Sequence, residues 1–188
     1  MSTAVTPRRA TPDDLLQVDG KAELVNGQVI DLMPTGHRPN VVAGRIFRKL
    51  ADHVDTVGAG VAYTDNMGFN VPMLTSGRES FSPDASYFTG PLPADPMRFV
   101  DGAPDFAVEV RSDWDYGPTA EQEQADKRAD YFEAGTRVVW DVDPISRVVR
   151  RYRPGESTPT AFAAGEEADA EPAVPGWRVA VDWLMRSP

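Results

Sequence analysis

Pro104-Asp105-Phe106-Ala107-Val108-Glu109-Val110-Arg111 is the stretch on which the fold turns. Phe106, Val108 and Val110 alternate with Asp105, Ala107, Glu109 and Arg111. A period of two puts the apolar three on one face of a β-strand and the charged set on the other. A shorter segment, Pro83-Asp84-Ala85-Ser86-Tyr87-Phe88, has the same strand-like character. A carboxylate flanked by valines in a central strand is costly to desolvate unless something pairs with it, and a metal ion is one such partner.

Outward from these strands the pattern alternates between helices and strands. Thr11-Pro12-Asp13-Asp14 opens a short helix ending near Val18, with a capping threonine, an early proline and acids facing the helix dipole. Ala22 to Met33 reads as a hairpin around Asn26-Gly27. Met33 to Pro39 is expected to be a loop. Asn40 then caps a helix to about Asp55, with Val41, Val42, Ile46, Phe47, Leu50 and Val54 along one side. Strands follow near Gly60 to Tyr63 and Met67 to Val71, then a loop from Leu74 to Ser82 and a strand from Ala85 to Phe88. The proline- and glycine-rich stretch from Gly90 to Gly102 reads as a surface connection. After the acidic strand and a polar loop, a helix runs from Thr119 to Ala134, with Gly135 as its C-terminal cap. Arg137 to Val142 and Arg147 to Tyr152 are strands joined by a turn at Asp143-Pro144. Pro154 to Pro175 is an excursion with at most one strand, and Trp177 to Met185 closes the domain. This order implies an α/β or α+β domain with a mixed central sheet flanked by helices. Residues 11–188 form one domain in this reading, and Met1 to Ala10 a disordered arm.

Composition narrows the chemistry. The 188 residues contain no cysteine and two histidines, so thiolate and histidine-rich metal sites are excluded. A metal here is held by oxygen, which points to Mg, Mn or Ca. No run approaches the roughly 18 apolar residues of a membrane span, and the N-terminal arginines are not followed by the apolar stretch of a secretory signal. A cytoplasmic protein is expected. A net charge of −10 argues against broad, non-specific nucleic-acid binding but leaves room for a local basic groove. Arg38, Arg45, Arg48 and Lys49 cluster, as do Arg147, Arg150, Arg151 and Arg153; the default reading of both is a solvated face.

Asp84 and Glu109, on neighbouring strands, are candidate ligands for a hard divalent cation that would polarise a phosphoryl oxygen and acidify bound water. Alternatively, Asp84 is an ordinary turn residue and Glu109 a salt-bridge partner of Arg111. Arg111, two residues after Glu109 on the same face, is a candidate catalytic cation. So is Lys127, in mid-helix, unless it merely pairs with Glu123 one turn earlier. Glu23 is a candidate third carboxylate. His37, with Arg38 beside it, is a candidate substrate contact. There is no Gly-x-Ser-x-Gly elbow, phosphate-cradling glycine-lysine loop or dinucleotide fingerprint.

Taken in order, Glu23-Leu24-Val25-Asn26-Gly27, His37 after a Pro-Thr loop, Pro83-Asp84, Pro104 to Ser112, Lys127 to Tyr131 with Ala134-Gly135, and Trp140 to Pro144 resemble the Uma-type restriction-endonuclease family, a branch of the PD-(D/E)XK nucleases. The resemblance spans about Thr11 to Met185. It implies a restriction-endonuclease-like core with Mg2+ or Mn2+ held by Asp84, Glu109 and the Val110 carbonyl. It also implies a nucleic-acid substrate, DNA first, and by analogy a homodimer. The superfamily's signature lysine falls at Arg111, where this chain departs from the pattern, and Lys127 matches a helix lysine recurrent in the family. Two functions follow: a divalent-metal-dependent endonuclease, or a nuclease-like domain without catalysis that binds nucleic acid or a protein partner as a dimer.

Overall fold

The computed structural model describes residues 8–187. Helix α1 (Pro12–Leu15) leads into a hairpin of β1 (Ala22–Val25) and β2 (Gln28–Asp31). Asn26 and Gly27 both take positive φ, 52° and 67°, as a tight two-residue turn requires. Helix α2 (His37–Val57) follows, then β3 (Val61–Thr64), β4 (Phe69–Asn70), β5 (Ser80–Phe81), β6 (Ala85–Phe88), β7 (Val100–Asp101) and β8 (Phe106–Val110). Helix α3 (Pro118–Glu133) connects β8 to β9 (Val138–Asp143). The chain ends with β10 (Val148–Tyr152), β11 (Thr160–Phe162), β12 (Glu167–Asp169), β13 (Arg178–Ala180) and α4 (Val181–Met185).

The central sheet has the order β11-β10-β9-β8-β6-β3. Only β8 and β9 run parallel; the other neighbours are antiparallel. A parallel pair needs a crossover, and α3 supplies it. The alternation in β8 divides the molecule as expected. Phe106, Val108 and Val110 join Val42, Ile46 and Leu50 of α2 in one core, while Ala107 packs on the other side with Phe81, Val139 and Tyr131 of α3. Glu109 therefore faces α3. The mixed α/β architecture matches the sequence reading.

Three boundaries differ. Helix α2 begins at His37, with Gly36 at its N-cap, so His37 and Arg38 lie in its first turn and not in a loop. The 154–175 excursion holds two strands, β11 and β12, because β12 pairs with β13 instead of extending the central sheet. Two loops also contain short strands: β5 and β7 flank β4 in a small sheet of their own. Of the N-terminal arm, residues 1–7 lie outside the described residues. Arg9 and Ala10 are fastened to the body, Ala10 by its N–H to the Gly27 carbonyl (2.8 Å) and Arg9 to Glu79 (2.6 Å).

Trp140 is a fully buried core side chain. It meets Phe106 edge-on with centroids 5.2 Å apart, lies 5.1 Å from Trp177, and donates its indole N–H to the Asp169 carbonyl at 2.9 Å. It thereby ties β9 to the C-terminal excursion. Trp140→Ala is expected to lower stability by about 3–5 kcal/mol in urea unfolding, with Trp140→Phe losing less.

Candidate active site

The site begins with strand pairing. In the β6–β8 ladder Ala85 lies opposite Val108 and Ser86 opposite Ala107. The ladder stops there: Asp84 lies just before β6, and Glu109 follows Val108 in β8. Pro83 has no N–H to continue the ladder, and the Asp84 side chain takes over: its Oδ2 accepts the Val110 N–H at 2.8 Å, while its own N–H donates to the Val108 carbonyl at 3.0 Å. The two acids are thus placed by backbone geometry.

Helix α3 adds Lys127 and Tyr131, one turn apart and so on one face. Tyr131 stacks on Phe81 at a centroid distance of 4.1 Å. From there it donates its hydroxyl to Glu109 Oε1 at 2.6 Å. Lys127 Nζ lies 2.9 Å from Glu109 Oε1 and 3.1 Å from Glu23 Oε1, turning to the sheet and hairpin and not to Glu123. Glu23 arrives from β1, which is pinned to β5 by the Leu24 N–H on Ser80 Oγ (2.7 Å). Its Oε1 also accepts the Ser82 N–H (3.0 Å), and its Oε2 pairs with Arg78. Arg78 in turn holds Asp130 at 2.9 Å. Glu23, Asp84, Glu109 and Lys127 therefore form one constellation.

The sequence reading missed Lys21, Asp65, Arg78 and Tyr131. Lys21 Nζ bridges Asp84 Oδ1 (2.8 Å) and Asp65 Oδ1 (2.7 Å). One signal was available: Lys21 precedes Glu23 by two residues at the start of a strand, and so shares its face. Arg78 and Asp65 come from loops and had no periodic signal.

Burial pushes the Glu109 carboxyl above its ordinary value; Asp84 and Glu23 push the same way, and Lys127 and Lys21 offset this only in part. For Glu23 burial also acts upward, but Lys127 and Arg78 outweigh it and hold the group below its usual range. Burial would lower Lys127, yet Glu109 and Glu23 keep its ammonium above the ordinary value. Burial and the nearby Glu109 raise the Tyr131 phenol well above its usual value, so it is a donor. Five carboxylates (Glu23, Asp65, Asp84, Glu109, Asp130) meet three cations (Lys21, Arg78, Lys127), an excess of negative charge suited to a divalent cation. Among the described residues no three or more His, Cys, Asp or Glu side chains are disposed to hold a metal together. Asp84 and Glu109 are oxygen donors of the kind that Mg2+ takes from protein, one or two carboxylates to an ion. A cavity of about 420 Å3 opens beside Glu109, Glu23 and Lys127, walled by Val25, Ile30 and Leu32 of the hairpin.

The sequence matches the model of the Uma2 family, "Putative restriction endonuclease", over residues 12–182. The chain belongs to the Uma2 family. A search among curated proteins finds no match. Among solved structures it is similar to "a putative nuclease belonging to DUF820" from Anabaena variabilis ATCC 29413, with a TM-score of 0.72 at 19% identity, covering 93% of this chain and 97% of that one. At that identity the likeness speaks for the fold.

In this Uma2 chain Arg111 lines the same cavity but bonds to other partners, and His37 and Arg38 lie elsewhere. Arg111 is buried, and its guanidinium grips Asp141 through Nε (2.7 Å) and Nη2 (2.6 Å) while also pairing with Glu121. Those hydrogen bonds raise its pKa further. It thus bonds to β9 and α3, and Lys127 is the cation that reaches Glu109. His37 and Arg38 line a different cleft, between α2 and the C-terminus. Because Asp141 is buried and would keep only a distant cation among the described residues, Arg128 at 4.0 Å, Arg111→Ala is expected to cost about 3 kcal/mol of stability in chemical denaturation.

Proposed function

We propose that the chain is a divalent-metal-dependent nuclease that hydrolyses phosphodiester bonds, with DNA as the first substrate to test. One observation carries this reading: Glu109, Glu23 and Lys127, distant in sequence, converge beside an open cavity, with Asp84 behind them on the Val110 N–H and close enough to act on Glu109. Family membership supports the reaction class.

Asp84 and Glu109 would be the metal ligands, with the Val110 carbonyl completing the protein's share. Bound there, Mg2+ or Mn2+ would polarise a phosphoryl oxygen and make water more acidic. The rest falls to the chain's own groups. Lys127, held as an ammonium between two carboxylates, serves as a donor and not as a base. It would orient the attacking water or neutralise charge building on the non-bridging oxygens as the water–phosphorus bond forms and the ester bond breaks. Glu23 is a positioning residue, holding Lys127 and Arg78 at once. Tyr131 orients Glu109. Lys21 would balance Asp84 and Asp65.

A second reading is a nuclease-like domain that binds nucleic acid or a partner without cleaving it. It is favoured by Arg111, which stands at the superfamily's lysine position but is engaged by Asp141 and Glu121. Titration calorimetry with Mg2+ and Mn2+ separates the two, because loss of the site predicts no binding from micromolar to millimolar metal. In the first reading, Asp84→Ala or Glu109→Ala abolishes metal-dependent cleavage of labelled DNA while the circular dichroism spectrum is unchanged, and a chelator silences the wild type. Full activity in either variant would refute the assignment. Lys127→Ala is expected to lower the cleavage rate by about 10²–10³-fold, the effect of removing one preorganised donor.

A further inference from the structure

We propose that the junction of α2 and α4 is a docking surface for the phosphates of a nucleic-acid strand, separate from the carboxylate site. The proposal rests on the nucleic-acid reading above and extends it to a second region of the molecule.

The sequence has two arginine-rich stretches, and the fold treats them oppositely. In 147–153 every arginine has a carboxylate within reach: Arg147 with Asp182 (3.8 Å), Arg150 with Asp143 (3.9 Å), Arg151 with Asp169 and Arg153 with Glu156. On α2, Arg38, Arg45 and Arg48 have no carboxylate partner among the described residues, and Lys49 reaches only Asp52 of its own helix, at 3.5 Å. Arg186, just past α4, is likewise without one and joins the same cluster. In a chain with ten more acids than bases, this leaves a concentrated, uncompensated positive patch.

The cations are held together by other means. Arg45 donates to the carbonyls of Leu184 (2.8 Å) and Arg186 (2.5 Å). Burial and the neighbouring Arg186 and Arg48 push its guanidinium below the ordinary value, a sign of like charges crowded together. Arg48, Lys49 and Arg186 surround the Trp183 ring at 4.8, 5.1 and 5.0 Å, where an aromatic face takes the place of an acid. Arg38, Arg45 and Arg186, with His37 and Ser187, line a cleft of about 120 Å3. Arginine forks bind phosphate oxygens two at a time. Arg38 to Arg48 spans about 15 Å of helix, over which one strand of a duplex presents about four phosphates. Helix α2 packs on the Phe106–Val108–Val110 face of the sheet and Glu109 lies on the other, so a strand docked here avoids the negative cluster.

The test is fluorescence anisotropy of a labelled DNA duplex in metal-free buffer, across a salt series. The variants combine Arg38, Arg48 and Arg186, which are exposed, changed together to Ala or together to Lys. If each contacts one phosphate, the Ala triple variant loses about 0.9 per arginine from the slope of log affinity against log salt. Between about 50 and 200 mM salt the wild type then loses on the order of 40-fold more affinity than the variant. The Lys triple variant keeps the wild-type slope. Asp84→Asn binds at least as tightly as wild type. An Ala triple variant with wild-type affinity and slope overturns the proposal, as does a wild type that binds no DNA or a Lys variant that behaves like the Ala one. Cleavage by wild type alongside an unaffected triple variant sinks the docking surface alone. Absence of metal-dependent cleavage with a reduced slope in the triple variant sinks the nuclease reading alone.

Discussion

The pairing of β6 with β8 is the constraint on which the candidate site depends. It brings Asp84 near enough to Glu109 to push up the Glu109 carboxyl, and the Asp84 carboxylate accepts the Val110 N–H where Pro83 interrupts the ladder. Two negative groups held that close repel each other, and the surrounding structure is organised to contain the repulsion. Lys21 answers Asp84, Lys127 answers Glu109, and Arg78 with Lys127 answers Glu23. The compensation is incomplete, so Glu109 stays harder to ionise than an ordinary glutamate. A folded chain that keeps a carboxyl hard to ionise beside a cavity retains a stability cost that chemistry at the site would explain.

Much of this was legible in the sequence, for a definite reason. Alternation in β8 is a local signal, and it assigned Phe106, Val108 and Val110 to one core and Glu109 to the opposite face. Asn26-Gly27 fixed the hairpin that carries Glu23. Lys127 was ambiguous, since a glutamate one turn earlier offered an equally good local partner; only packing of α3 on the sheet decides between them. Arg78 and Asp65 were not readable, because loop residues reach a site through tertiary contacts that leave no period in the chain. Arg111 shows the converse limit. Its spacing was right for a catalytic cation, and yet Asp141, thirty residues on, became its neighbour through the β8–β9 pairing.

The two sides of the sheet differ in electrostatic character as well as in packing. The α3 side gathers acids around a few cations. The junction of α2 and α4 gathers Arg38, Arg45, Arg48 and Arg186 without a carboxylate partner among the described residues, while Asp52 reaches Lys49. The overall charge of −10 hides this polarity, which is why net charge describes solubility better than it describes what a particular face will attract.

The crossover by α3 has a consequence for how this chain can vary. Lys127 and Tyr131 reach Glu109 only at one rotational setting of that helix, and its two ends are tied to parallel neighbours in the sheet. Each residue advances an α-helix by about 100°, so a single insertion before Lys127 swings the ammonium to the solvent side. The stretch from Gly90 to Phe99 contains no helix or strand and carries no group of the carboxylate cluster, so its length can drift freely. Related chains should therefore keep the length of α3 fixed while that loop grows or shrinks.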